Sequence, residues 1–215
     1  MKRLVWLMVL VWVAAVAVPA FAGSAEEIDP AYRTILDLYT EGLSGNEEVI
    51  LSDSDQFNYS AWQCCIDAGV NPAKSIGYAL IDLDGDGVTE LIIADATEEQ
   101  ALEGIVFDIW TVRGGEAVNI RRGWERWRLY LTAQDGEGRY GYYQEGSSGY
   151  TNESFELGAF RSGEAVTEHT LEFDSERAEQ WQLDGAAVNE ETAYDTIDTW
   201  NAGIIRVVLP YSFAD

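Results

Sequence analysis

Two apolar runs on either side of an acidic loop are the feature that most constrains the fold. Residues 77–81 read GYALI and residues 89–94 read TELIIA, with residues 82–88 between them. Strands that are apolar at nearly every position are buried on both faces, so they belong in the middle of a sheet. The acidic loop is therefore predicted to connect two central strands.

Further short strands, separated by turn signals, are predicted up to residue 188. Glycine-containing turns at Arg113–Gly115, Arg161–Glu164 and Asp184–Gly185 each lie between two apolar or alternating runs, a pattern typical of β-hairpins. Strands that follow one another through such turns form an antiparallel meander. Residues 204–209, which read IIRVVL, are predicted to be a final strand.

Helices are predicted before and after this run of strands. Asp29 followed by Pro30 is typical of a helix N-cap and first helical residue, and apolar side chains follow at helical spacing. Residues 60–68 fit a second short helix, and Asn189 with two following glutamates fits the start of a late one.

Together these elements predict an α+β fold. It has an N-terminal helical segment, an antiparallel β meander, a late C-terminal helix and a final strand. No internal repeat or linker divides the sequence, so residues 23–215 are expected to form a single domain.

The first 22 residues are expected to be a secretory signal peptide. Lys2 and Arg3 precede an apolar run from Leu4 to Val18, and small residues at Ala20 and Ala22 suit a signal peptidase. The apolar run is shorter than the ~20 residues that a membrane-spanning helix needs. We therefore expect a secreted, periplasmic or cell-envelope protein with no membrane span after processing.

The chain is strongly acidic, with 38 acidic and 13 basic residues and a formal net charge of −25. Such a field repels nucleic-acid phosphates and anionic lipid surfaces, and it attracts divalent cations. Cys64 and Cys65 are the only cysteines and are adjacent, so the chain has no disulfide framework. They are interpreted as two small buried apolar residues.

The acidic loop has the spacing of a cation site. Counted from Asp82, carboxylates occupy positions one, three, five and nine, and glycine occupies position six. In calcium loops of this kind the carbonyl at position seven is a further ligand. The predicted metal ligands are therefore these residues: Asp82, Asp84, Asp86, Val88 through its carbonyl, and Glu90.

Calcium suits this loop better than magnesium, because it accepts six to eight oxygen ligands in a flexible geometry. Position twelve, where an EF-hand has a bidentate glutamate, is Ile93, and an apolar strand replaces the exiting helix. We therefore expect a structural ion with an affinity of about 0.1–1 mM, as in extracellular modules. The alternative is a solvated Asp-Gly turn without an ion.

The loop DLDGDGVTELII resembles the calcium loops of FG-GAP and VCBS-type β-propeller repeats, which share the spacing D-x-D-x-D-G-x-x-[DE]. Those proteins carry one loop per blade, whereas this chain carries one loop in total. The resemblance therefore implies only the ligand roles named above.

Most of the chain after residue 22 resembles a loose group of uncharacterised secreted bacterial proteins and lipoproteins. The segments that carry this resemblance are Tyr78–Ile93, Phe107–Val118, Glu145–Gly149 and Trp181–Ile197. The group has no established activity, so the resemblance implies an exported protein with a calcium site.

No residue pattern in the sequence indicates a catalytic site. His169 is the only histidine and is predicted to lie on a strand, and the sequence EGSSG at 145–149 departs from the G-x-S-x-G nucleophile motif. We interpret both as structural.

Trp124, Trp127 and Tyr130 could form an exposed surface that stacks on a glycan or a protein partner. The alternative is that they belong to an ordinary β core, with the arginines near them solvated on its outer face. A further possibility is that these arginines pair internally with carboxylates. We expect a secreted calcium-binding protein with an extracellular or cell-envelope interaction or accessory role. The second hypothesis is a carbohydrate- or peptidoglycan-directed binding module or hydrolase.

Overall fold

The computed structural model describes residues 28–52, 55–97, 102–134, 138–149 and 151–214. The predicted signal peptide, residues 1–22, lies outside them. The helices are α1 (Pro30–Leu43), α2 (Glu47–Ile50), α3 (Tyr59–Ala68), α4 (Pro72–Ser75) and α5 (Glu190–Asn201). The strands are β1 (Ile76–Ile81), β2 (Glu90–Asp95), β3 (Val106–Arg113), β4 (Glu116–Arg122), β5 (Trp127–Ala133), β6 (Tyr140–Ser147), β7 (Asn152–Arg161), β8 (Glu164–Asp174), β9 (Trp181–Leu183), β10 (Ala186–Val188), β11 (Ile204–Ile205) and β12 (Tyr211–Ser212).

The predicted α+β class is confirmed. The strands form one antiparallel sheet in the order β10-β9-β8-β7-β6-β5-β3-β2-β1-β12, while β4 pairs with β3 and β11 pairs with β5. The predicted turns connect β3 to β4, β7 to β8 and β9 to β10. At all three of these turns the two central residues have positive φ, as a type I′ turn requires: Gly114–Gly115, Ser162–Gly163 and Asp184–Gly185.

The predicted helix starts are also confirmed. The Asp29 carboxylate accepts a hydrogen bond from the Ala31 amide at 2.8 Å, which satisfies one of the free amides of the first turn. Asn58 and Asn189 cap α3 and α5 in the same way. Gly69 ends α3 in the left-handed conformation that favours glycine.

The final strand is shorter than the sequence predicts. Only Ile204–Ile205 pair with β5, and a separate pair, Tyr211–Ser212, adds to the edge of β1. Between them Val207 and Leu209 pack against the core without joining a ladder. Pro210 lacks an amide hydrogen, which removes a ladder donor in this segment.

The sheet buries apolar side chains on both faces. Along β2, Leu91 and Ile93 face the helices, whereas Ile92 and Ala94 face the other side. The alternation follows from the two-residue period of a strand. We call the two clusters the helix-side core and the inner core. The helix-side core includes Tyr32, Ile35, Tyr39, Leu91, Ile93, Phe107, Tyr143, Phe155 and Trp200. The inner core includes Leu83, Ile92, Val106, Ile109, Leu129, Leu131, Tyr142 and Phe160.

The sheet curls around the inner core. In a flat sheet β2 and β7, four steps apart, would be about 19 Å apart at the usual strand spacing. The loop between β1 and β2 instead meets distant strands directly, because the Tyr140 amide donates to the Leu83 carbonyl at 2.9 Å. The Gly163 amide likewise donates to Asp84 at 2.9 Å. The curl therefore brings the acidic loop against the β7–β8 turn.

Candidate metal centre

Three aspartates of the acidic loop lie close together. Carboxylate oxygens of Asp82, Asp84 and Asp86 lie within 4.8 Å of one another. Asp82 and Asp84 are half-buried and Asp86 is exposed. This spacing and an all-oxygen donor set mean that the three carboxylates could hold a metal ion.

Backbone amides within the loop hold the carboxylates in place. Asp82 accepts hydrogen bonds from the amides of Gly85 at 2.7 Å and Gly87 at 3.0 Å, one to each carboxylate oxygen. Both glycines have positive φ, near 78° and 88°, so a side chain there would strain the turn. Asp86 accepts from the Val88 amide at 2.8 Å. The Val88 side chain is exposed at the surface of the loop.

The loop is also tied to a turn far away in sequence. Asp84 Oδ2 accepts the Gly163 amide, and the Gly163 carbonyl in turn accepts from the Arg113 guanidinium at 2.6 Å. A charged acceptor strengthens such a hydrogen bond. The candidate centre therefore has a fixed position relative to the β7–β8 hairpin.

Glu90 lies beneath the loop, with its side chain only 1% exposed. Its Oε2 accepts from the Leu83 amide at 2.9 Å and its Oε1 accepts from the Thr111 hydroxyl at 3.0 Å. Within the described residues Glu90 does not belong to the close group of three carboxylates. Its role as a ligand, like that of the Val88 carbonyl, stays a prediction.

The environment of Glu90 raises its pKa to about 7. Burial of the charged form is the largest cause, and the nearby charges of Asp84 and Asp86 raise the pKa further. The hydrogen bonds from Leu83 and Thr111 oppose this shift because they stabilise the carboxylate. A cation bound in the loop would also lower the pKa, since it favours the charged form.

The aromatic residues proposed as a binding surface have different environments. Tyr130 is 7% exposed and belongs to the helix-side core, so it is a core residue and not part of an exposed binding surface. Trp124 is 42% exposed, and its ring lies 6.0 Å from that of the half-buried Trp127 at an angle of 49°. The three rings therefore do not form one flat exposed surface.

The arginines near these rings pair with carboxylates. Arg121 contacts Glu156, and its guanidinium lies 4.3 Å from the centre of the Tyr142 ring. Arg128 contacts the exposed carboxylate of Glu103. Internal pairing, one of the possibilities from the sequence, therefore applies to Arg121 and Arg128.

A buried ion pair is the main feature that sequence reasoning missed. Asp108 is fully buried on β3 and accepts from Arg122 Nε at 2.6 Å, from the Asn119 amide at 2.8 Å and from the Tyr39 hydroxyl. Burial raises the pKa of Asp108, although Arg122 opposes the shift. The network joins α1, β3 and β4. The only sign of it in the sequence is one aspartate inside an apolar strand.

The histidine and the two cysteines that the sequence analysis considered are surrounded by ordinary structural contacts. His169 lies on β8, and its Nδ1 is 2.9 Å from the exposed carboxylate of Asp184 in the turn between β9 and β10. Cys64 is half-buried and Cys65 is buried, both are free thiols, and burial raises the pKa of each.

Among the described helices, none has the length and apolar character needed to cross a bilayer.

Comparison with known proteins gives no relative from which a function could be transferred. No protein-family model matches the chain, and no curated protein or solved structure is significantly similar to it. The functional argument therefore rests on the geometry of the described residues.

Proposed function

We propose that this protein binds one calcium ion in the acidic loop and that the ion stabilises the fold. The observation that carries the proposal is the approach of the Asp82, Asp84 and Asp86 carboxylates to within 4.8 Å of one another. Three like charges at that distance repel each other, whereas a divalent cation between them turns the repulsion into attraction.

The donor set and its dimensions support calcium as the ion. Calcium binds oxygen at about 2.3–2.6 Å, so ligands on opposite sides of one ion are about 4.6–5.2 Å apart. Carboxylate oxygens that lie within 4.8 Å of one another are therefore close enough to share one calcium ion. Magnesium needs an octahedron with shorter bonds of about 2.0–2.1 Å and keeps several waters. A loop that offers three carboxylates at successive odd positions suits the larger and more flexible coordination of calcium.

The ion is proposed to stabilise the curl of the sheet as well as the loop. Asp84 uses one carboxylate oxygen to accept the Gly163 amide, so an ion that fixes Asp84 also fixes the loop against the β7–β8 turn. At ~2 mM calcium and a dissociation constant of ~0.1 mM, this binding would add about 1.8 kcal/mol to the free energy of unfolding.

The proposed location is outside the cytoplasm. A basic start followed by a short apolar run at residues 2–18 supports export, and extracellular calcium in the millimolar range would saturate a site of the expected affinity. The biological role that we propose is an interaction or accessory role at the cell surface or in the surrounding medium.

Isothermal titration tests the proposal. We expect one calcium per chain with a dissociation constant of about 0.1–1 mM, and much weaker binding of magnesium. The double variant Asp82→Asn/Asp84→Asn should lose the binding. The matched control Asp195→Asn/Asp198→Asn removes two charges from the exposed face of α5 and should keep it. Equal heats from the wild type and the loop variant would contradict the proposal.

Removal of the ion should lower thermal stability. If the dissociation constant is ~0.1 mM, we expect the melting temperature to fall by about 4–7 °C when 2 mM calcium is replaced by a chelator, since 1.8 kcal/mol has about that effect in a domain of this size. The loop variant should melt at one temperature in both conditions. A wild-type protein that also melts at one temperature in both would exclude a stabilising ion.

A further inference from the structure

A cleft of about 190 Å³ opens at the end of the sheet away from the acidic loop. Its lining includes Trp127 from β5, Ser154 from β7, and Glu172 from β8, together with Arg177 from the following turn. Strand β6 separates the two regions: Tyr140 at one end meets the acidic loop, and Gly146 near the other end faces Trp127. Six residues of strand span about 20 Å. The cleft is therefore independent of the metal centre.

The indole ring of Trp127 forms one wall of the cleft and is backed by a glycine. A Cβ atom added to Gly146 would lie 2.5 Å from the Trp127 ring, so the ring lies against the backbone of β6. The backbone fixes the ring on that side, and Trp127 remains partly exposed to the cleft. A rigid, flat aromatic surface of this kind supplies contact area with little loss of conformational entropy.

The polar residues of the cleft follow from the register of the sheet. Trp127 pairs with Gly146, Gly146 pairs with Ser154, and Ser154 pairs with Glu172. Glu172 pairs in turn with Gln182 on β9. Residues that are paired across antiparallel strands lie on the same face, so one row places an aromatic ring beside a hydroxyl, a carboxylate and an amide.

Arg177 adds hydrogen-bond donors to this row. Its Nη1 lies 3.1 Å from the Gln182 amide oxygen and 3.5 Å from the Glu172 carboxylate, and its Nε lies 3.0 Å from Asp174. The cleft therefore contains both donors and acceptors. Such a mixture matches a ligand whose groups both donate and accept, as hydroxyl groups do.

We propose that this cleft binds a ring of a neutral saccharide, with the apolar face of the sugar on Trp127 and its hydroxyls on Ser154, Glu172 and Arg177. An anionic ligand would meet the carboxylates of Glu172 and Asp174. The carboxylates of Glu172 and Asp174 are already paired with Arg177, which disfavours a cationic ligand at this position. The cleft is smaller than the ~300–1,000 Å³ of drug-sized pockets, so it has room for one small ring.

Calorimetric titration with tetrasaccharides of glucose, mannose, galactose and N-acetylglucosamine tests the proposal. We expect at least one of the four to bind with a dissociation constant below about 10 mM. Trp127→Ala should weaken this binding about tenfold, because it removes the stacking surface. Ser154→Leu should abolish it by filling the cleft from a half-buried surface position. The control Tyr59→Ala removes an exposed ring of α3 and should leave it within about twofold.

Two outcomes would overturn the proposal. The first is that none of the four tetrasaccharides binds, and binding of choline in that case would show that the cleft holds a cation instead. The second is that Trp127→Ala and Ser154→Leu, both folded by circular dichroism, bind as tightly as the wild type. None of these outcomes bears on calcium binding, because the two regions are separate.

Discussion

Replacing Asp108 with alanine is expected to lower the free energy of unfolding by about 3–5 kcal/mol, because it removes the fully buried carboxylate that pairs with the partly buried Arg122. Asp108 is fully buried, and Arg122, Asn119 and Tyr39 all donate to it. Without the carboxylate, the Tyr39 hydroxyl and the Asn119 amide would lose their acceptor, and Arg122 would keep its hydrogen bond to the Asp55 carbonyl. Donors left without an acceptor after burial cost free energy, because their contacts with water are not replaced.

Urea unfolding with a matched surface pair checks this expectation. Glu103→Ala removes the carboxylate partner of Arg128, in a pair whose side chains are 41% and 59% exposed. Exposed ion pairs contribute about 0–1 kcal/mol to stability, so this variant should unfold at a urea concentration close to that of the wild type. If Asp108→Ala and Glu103→Ala both lowered the free energy of unfolding by less than about 1 kcal/mol, the buried network would have no special role in stability.

Glu90 gives the second large effect, a pH dependence that is clearest without calcium. The side chain titrates near 4.5 when unfolded and near 7 in the folded protein. Between these values the folded state holds more protons, so stability should fall as pH rises through this range and stay low above it. A shift of this size corresponds to about 3 kcal/mol.

Glu90→Gln isolates this effect, because glutamine resembles the protonated acid and does not titrate. In a chelator, the variant should be more stable than the wild type by about 3 kcal/mol at pH 8 and nearly equal to it at pH 4. The exposed change Glu176→Gln, in the turn after β8, should show no such pH-dependent difference. A constant difference between Glu90→Gln and the wild type across this range would mean that Glu90 does not titrate as expected.

The same variant tests the predicted ligand role. If Glu90 binds the ion, Glu90→Gln should weaken calcium binding while it stabilises the calcium-free protein. Unchanged calcium binding would remove Glu90 from the ligand set and leave it as a buried support for the Leu83 amide.

Local features of the sequence predicted most of the fold. Asp29 marks the start of α1 because its carboxylate caps the next amides, and Asp184–Gly185 marks a hairpin because both residues accept positive φ. The predicted extent of the last strand was wrong, because pairing at 204–212 depends on which strand edges remain free in the folded sheet. The three aspartates were predicted together because their spacing is local.

Contacts between distant residues could not be predicted. Asp84 meets Gly163 across 79 positions, and Tyr39 meets Asp108 across 69. Neither pair has a local signal, because each depends on how the whole sheet curls and where α1 packs. For the same reason Tyr130 was predicted to be a possible surface ring, although the folded protein buries it.

Crystals grown in millimolar calcium, with anomalous diffraction measured at a long wavelength, test the central proposal most directly. We expect one calcium peak about 2.3–2.6 Å from carboxylate oxygens of Asp82, Asp84 and Asp86. The Val88 carbonyl and Glu90 should lie at the same distance if the full ligand set is right. A loop without an anomalous peak, while its carboxylates keep the same positions, would contradict it.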